Sequence, residues 1–267
     1  MGEVAVNLNN FCYEFENSYF NDNDVTSILN NGVTPENILN ALRIIKDKEK
    51  SKFIKLPMDF QSYIKKVPTN ISFEDLPKIA EALYRGEELK AILGSIELAR
   101  DEDIILRVLG PFSTLLQSLG SNTLFKWLFK YKNQVHSALT IVTEAQVAYI
   151  NSALREGVNI ISFAEPSAME EVIGEKCYRE FVMDYTIKLL KSIEANLDKS
   201  ILHICPKTSY QLERYGVITS EVLNYCGNSY AQALIELAQN NNIKYIGHRC
   251  INAEHVKVDK IYVLKFL

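Results

Sequence analysis

The sequence predicts an α/β fold: a (β/α)8 TIM-type barrel, shortened by one element, with an N-terminal helical arm. Three observations predict it. Short β-prone runs alternate with helical patterns over about 215 residues from Ser51 onward, the texture of parallel strands joined by crossover helices. Several of the runs are apolar throughout, so that "DIILRVLG" reads as a buried strand. No Gly-rich phosphate fingerprint follows the first strand, which weakens the dinucleotide-binding form of an open sheet. An open doubly wound sheet remains the competing architecture, because six or seven strands can be read and a closed barrel needs eight.

The elements follow in chain order. Residues 1–50 are polar and rich in asparagine and read as the arm; residues 51–267 read as the barrel. Within the arm, "GVTPENILNALRIIKDKEK" is a helix with Thr34 as N-cap and Pro35 at the first helical position. The aromatic spacing of "FCYEFENSYF" suits a segment lying on the body or on another subunit. "KFIKLP" is a strand ended by Pro57, and "SFEDLPKIAEAL" and "EELKAILGSIELARDE" are helices. "DIILRVLG" closes at the Gly110-Pro111 turn. A long helical region follows, in which Val135, Leu139, Val142, Tyr149 and Ala153 share one face, and Gly157 ends it. "VNIISFAEP" is a strand stopped by Pro166, and "KCYREFVMDYTIKLLKSIEANL" is a helix. "SILHIC" is a strand, "EVLNYC" a short one, "SYAQALIELAQNNN" a helix, and "IKYIGH" and "KIYVLKFL" are the last two strands.

Composition bounds the function. Hydrophobic residues make up 47% and charged residues 23% of the chain, ordinary for a globular protein. A formal net charge of -4 with no basic stripe argues against nucleic acid as a partner. No run of about 18 uncharged apolar residues is present, so no membrane span is expected. The amino-terminal sequence lacks a basic region followed by an apolar run, so no signal peptide is expected. Five scattered cysteines then point to reduced thiols and a cytoplasmic setting.

Two of the four histidines and two of the five cysteines fall in one repeated pattern: His203 and Cys205 in "ILHICPKT", and His248 and Cys250 in "IGHRCIN". Side chains at i and i+2 of a strand share a face, so each pair projects together. Both pairs sit where an apolar run ends, and parallel α/β proteins gather ligands at the carboxyl ends of strands. A convergent set of imidazole and thiolate donors suits zinc. The alternative is packing, since both residue types are also common in cores.

"GPFSTLLQSLG", "REGVNIISFAEPSAMEEVIGEKCYREFVMDY", "ILHICPKT" and "NNIKYIGHRCI" occur in an order that resembles the uroporphyrinogen decarboxylase superfamily, and within it the methylcobamide:thiol (coenzyme M-type) methyltransferase branch. The likeness runs from about Lys55 to Cys250. It implies a β/α barrel, a zinc ion on His203, Cys205 and Cys250, and a methylcobamide corrinoid as methyl donor. It also implies a corrinoid protein as partner and a small thiol as acceptor. Glu165 becomes a candidate for orienting substrate or for holding zinc before the thiol binds. Asp59 becomes a candidate for lining the same mouth. His248 departs from the family pattern and is a possible extra ligand or a supporting donor; Cys226 is an alternative to it as extra ligand and reads more simply as a buried thiol. The stretch from Cys205 to Cys250 is compressed relative to the family, which leaves room for two other readings: an accessory corrinoid-protein-binding module without turnover, and a uroporphyrinogen decarboxylase-like enzyme. Against the second, Arg43 is the only arginine in residues 1–60.

Overall fold

A computed structural model describes residues 22–56, 75, 87–239 and 242–267. Within them, seven strands make one sheet: β1 (Ile54–Leu56), β2 (Ile104–Leu109), β3 (Ile160–Ala164), β4 (Ile201–Ile204), β5 (Ile218–Asn224), β6 (Tyr245–Gly247) and β7 (Lys260–Phe266). Their spatial order is β1-β2-β3-β4-β6-β7-β5. The neighbours from β1 through β6 are parallel, while β7 runs antiparallel to both β6 and β5. The α/β, TIM-type arrangement is as expected, and the sheet is not closed: among the described residues β1 and β5 are its two edges.

Helix α1 (Asn23–Asn30) and helix α2 (Pro35–Glu49) precede the sheet. Thr34 caps α2 by accepting the Asn37 N–H, and Pro35 opens it, as the sequence predicts. Their apolar faces, with Val25, Leu29, Ile38 and Leu42, join the main core. The longer of the remaining helices are α3 (Glu87–Leu98), α4 (Pro111–Leu119), α5 (Ser121–Lys130), α6 (Lys132–Glu156), α7 (Asp184–Ile193), α8 (Pro206–Arg214) and α9 (Tyr230–Ala238). Gly157 ends α6 in the left-handed region at φ 110°. The helix expected over "KCYREFVMDYTIKLLKSIEANL" is present with one π turn, Arg179–Met183, in its first half. Helix α8 is absent from the sequence reading, although Pro206 at its first position is a start signal. The helix expected at "SFEDLPKIAEAL" lies outside the described residues, as do Cys12 and Asp59.

The place of β5 differs from an all-parallel expectation and has a compositional cause. β2, β3 and β4 are buried along their whole length, as strands covered on both faces must be. β5, "ITSEVLN", is exposed from Glu221 to Asn224 and is too polar for such a place. It sits at the far edge and pairs with β7 over seven residues, so β6 rather than β5 lies beside β4.

Strand alternation splits the core. Ile54, Leu56, Leu106, Val108, Ile161, Phe163, Leu202 and Ile204 face the outer helices. Phe53, Ile105, Ile160, Ile201 and Ile246 face the other way and pack on α9 through Tyr230, Ala231, Ala233, Leu234 and Leu237. Helix α9 therefore covers this inner face. Its start is fixed by the Tyr230 N–H on Val256 O and the Ala231 N–H on Glu254 O. Glu254 also reaches back to the first strand. Its carboxylate accepts from Lys55 Nζ at 2.6 Å and from Ser51 Oγ at 3.0 Å, and Lys55 meets Glu49 at 2.9 Å. Lys55 and Glu254 are both buried.

Removing one partner of a buried charge pair leaves the other uncompensated. Glu254→Ala is expected to lower unfolding stability by about 3–5 kcal/mol, read from urea denaturation. A loss below about 0.5 kcal/mol, typical of a surface site, would show that Lys55 is not held by this pair.

Candidate functional site

The carboxyl ends of β4 and β6 carry the two His-x-Cys segments. β4 pairs with β6 in register Leu202–Tyr245 and His203–Ile246. The ladder of β4 with β3 continues one residue past the strand, since the Cys205 N–H donates to Phe163 O at 2.9 Å. His203 and Cys205 thus keep the alternation and share the inner face. His203 Nε2 lies 2.8 Å from Arg249 O, the carbonyl immediately before Cys250. The two remote segments therefore meet.

His203 is fully buried, and its other ring nitrogen, Nδ1, lies 3.1 Å from Ser162 Oγ. Burial pushes its imidazole pKa down to about 4; the Arg107 charge acts in the same direction and the Arg249 carbonyl opposes it. The ring is neutral at pH 7. With Nε2 donating to the carbonyl, Nδ1 accepts the Ser162 hydroxyl. Arg107, Ser162, His203 and Ile246 form one row across four strands. Tyr230 of α9 meets the His203 ring edge-on at 6.3 Å, and the Arg249 guanidinium lies 5.6 Å from the Tyr230 ring. Arg107 and Ser162 were not singled out from the sequence. Their signal was a single polar residue inside each apolar run, "IILRVL", "IISFA" and "ILHI".

The donor set of one imidazole and two thiols suits zinc in kind. In arrangement, both nitrogens of His203 are engaged, and among the described residues no three His, Cys, Asp or Glu side chains are gathered as metal ligands. Ligation by His203 Nε2 requires it to leave the Arg249 carbonyl. Cys205 is buried and Cys250 half-buried, and neither is in a disulfide.

Glu165 is buried at the end of β3, and both its oxygens accept main-chain N–H groups, Phe112 at 3.0 Å and Ser113 at 2.9 Å. It acts as a remote cap for α4, which begins after β2 and has no cap from its own Gly110. The Glu165 N–H in turn donates to Thr208 Oγ1 of α8 at 3.0 Å. The carboxylate packs so tightly against Gly110 that a Cβ there would overlap its Cγ, Cδ and Oε1. "GPF" and "AEP" are thus two halves of one contact. Burial raises the Glu165 pKa to about 7, and the donors from Ser113 and Phe112 oppose the rise.

His248 turns away from His203. Its Nδ1 lies 2.9 Å from Ser209 Oγ, and its Nε2 lies 2.9 Å from Glu213 Oε2 without hydrogen-bond alignment. Burial lowers its pKa, against the opposing effect of Glu213. Tyr210, on which its ring stacks, borders a cleft of about 230 Å³ with Met169, Pro206, Lys207, Gln211 and Arg214. Cys226 is exposed, not buried as expected, because β5 leaves the sheet's covered region. His136 is half-buried between Tyr185 (Nδ1 to hydroxyl 2.8 Å) and Phe181. His255 is exposed.

With this geometry in view, the family follows. The model for Uroporphyrinogen decarboxylase (URO-D) matches residues 54–250, and the chain belongs to this family. Among curated proteins it is similar to "Methylcobamide:CoM methyltransferase MtaA" of Methanosarcina barkeri, 28% identical over 147 residues that make up 53% of this chain and 42% of that protein. It is also similar to "Methylcobamide:CoM methyltransferase MtbA" of Methanosarcina mazei, 27% identical over 154 residues, 55% of this chain and 45% of that protein. A third relative is the "Methylated-thiol--coenzyme M methyltransferase" of Methanosarcina mazei, 29% identical over 134 residues, 48% of this chain and 36% of that protein. The branch is the one to which the H-x-C resemblance pointed. The matched stretch spans less than half the length of each of these relatives. A solved "methyltransferase from Methanosarcina mazei" shares the fold, with a TM-score of 0.52 at 19% identity over 65% of this chain and 56% of that one. No helix among the described residues is long and apolar enough to cross a membrane.

The Glu165 carboxyl keeps its proton in the folded protein to a higher pH than in the unfolded chain. Its contribution therefore falls as pH rises from about 4.5 to about 7 and is constant above. Glu165→Gln is expected to flatten that part of the stability–pH curve, by an amount on the order of 1–3 kcal/mol, measured by urea titration at fixed pH values. Parallel curves for the two proteins would show that Glu165 does not titrate in this window. Gly110→Ala should displace Glu165 and cost about 1–3 kcal/mol.

Proposed function

We propose that the chain carries a zinc-dependent methyl-transfer site of the methylcobamide:thiol type, with His203, Cys205 and Cys250 as metal ligands. The observation that carries this is the meeting of the two motif segments: β4 lies beside β6, and His203 Nε2 contacts the carbonyl next to Cys250. The acceptor is a small thiol, and the donor is a methylcobamide presented by a corrinoid protein at the carboxyl end of the sheet. A carbon–sulfur bond forms as the cobalt–carbon bond breaks, the bonding pair remains on cobalt, and the thiol proton goes to solvent. Bound zinc would supply the charge that keeps an acceptor thiol deprotonated.

The chain's own residues set the conditions. Burial holds His203 neutral, so it is a donor without first losing a proton. Ligation through Nε2 would require the Nδ1–H tautomer, with Nδ1–H donating to Ser162 Oγ, the orienting bond that metal-ligating histidines need. Glu165, rather than touching the acceptor, holds the ends of β2, β3 and β4 in register through α4 and Thr208, so its part is positioning. Asp59 lies outside the described residues and stands as a candidate from the sequence alone.

One observation favours a second reading. The inner face at His203 is covered by α9, with Tyr230 against the ring. That suits an accessory module that binds a corrinoid protein without turnover. Metal analysis separates the readings. One zinc per chain is expected in the purified protein, largely lost in Cys205→Ala and in Cys250→Ala, with methylcobalamin:thiol activity following the metal. Equal metal content in all three proteins sinks the zinc site. Zinc without activity across a thiol panel favours the module.

A further inference from the structure

The geometry points to a role for His248 that the ligand reading does not contain. We propose that His248 is a positioning residue, a clamp that ties the Cys250 loop to helix α8 and so sets Cys250 against Cys205. This deepens the zinc reading above and rests on it.

Cys205 is the residue that precedes α8, with Pro206 as its first turn. Whatever is fastened to α8 is therefore fastened to Cys205. His248 is fastened to it at three places. The His248 main-chain N–H donates to Ser209 Oγ at 3.0 Å, and its Nδ1 lies 2.9 Å from the same oxygen. Nε2 lies 2.9 Å from Glu213, one turn further along the helix. The ring lies flat on Tyr210, with centroids 4.1 Å apart and planes 11° from parallel, and Tyr262 closes the other side edge-on at 5.4 Å. The main-chain N–H, Nδ1 and a ring face are thus spent on α8, Nε2 faces Glu213 without a hydrogen bond, and the side chain is 1% exposed.

The backbone supports the same role. His248 has φ 59°, a left-handed conformation that is unfavourable for a non-glycine residue. Such a conformation persists where surrounding bonds over-determine it. The residue before it is Gly247, where a Cβ would come within 3.0 Å of Ser209 Cβ and 2.6 Å of Leu264 Cδ1. Glycine allows the end of β6 to lie directly on α8, and the left-handed turn then sends the chain to the point where Arg249 O meets His203. The order Ser209, His248, Glu213 has the residue types of a hydrolytic triad. Ser209 is fully buried, however, and its oxygen already accepts a main-chain N–H, so it is a strut and not a nucleophile.

The test uses Ser209→Ala, which removes the shared oxygen without altering either cysteine loop, and His248→Asn, which keeps an amide near Nδ1 and tolerates the left-handed backbone. Two readouts are taken on the full chain: hydrogen–deuterium exchange of residues 247–251, and zinc retention against a chelator. In Ser209→Ala, exchange in that segment is expected to rise about tenfold or more, with α2 unchanged, and zinc retention to fall roughly 10–100-fold. His248→Ala should behave alike, and His248→Asn should recover most of both. Unchanged exchange and zinc retention in Ser209→Ala overturn the clamp. A wild-type protein without zinc overturns the metal reading alone, and the exchange of residues 247–251 then decides the clamp. Should Ser209→Ala lose protection throughout, Glu213→Gln, at a side chain 34% exposed, decides by the same local readout.

Discussion

The parallel pairing of β4 with β6 is the constraint on which the carboxyl end of the sheet depends. Its register sets His203 opposite Ile246, so the residues that follow each strand emerge side by side. The chain between Cys205 and Cys250 is consumed by α8, β5 and α9, and β5 is sent to the far edge. The polar strand β5 lies at an edge, where one face can be wet, and β6 lies beside β4. The two cysteine segments come together because β6 and not β5 is that neighbour.

Covering the inner face has a second consequence. Helix α9 presents alanines to the sheet, so its backbone approaches closely, and Tyr230 fills the space over His203. His203 is fully buried, and a low dielectric disfavours the imidazolium there. The same burial demands that every polar group in the row find a partner, which the Ser162 hydroxyl and the Arg249 carbonyl provide for His203. The Lys55–Glu254 pair ties β1 to the loop that fixes the start of α9.

Glu165 shows how loops at one end of a parallel sheet are fixed by charge. A carboxylate from the β3 end satisfies the orphan N–H groups of a helix that follows β2, and its own N–H rests on the helix that follows β4. Three consecutive strand ends are joined through one residue. The absence of a side chain at Gly110 admits it.

Much of the element order was legible in the sequence. Thr34-Pro35 starts α2, Gly157 ends α6, and "IILRVL" and "ILHI" are buried strands, because capping groups, left-handed glycines and apolar runs act through nearest neighbours. The equal spacing of the two His-x-Cys pairs was legible too, and so was their position at strand ends. Which strand lies beside which was not, since register and neighbour choice depend on how polar each strand is relative to all the others. The His-x-Cys spacing by itself does not separate His203 from His248, although the family resemblance makes His203 the ligand. Tertiary structure shows where each points: His203 into the covered inner face against Ser162, and His248, itself in the left-handed conformation, onto α8, a helix made of "PKTSYQLER" whose weak apolar pattern hid it.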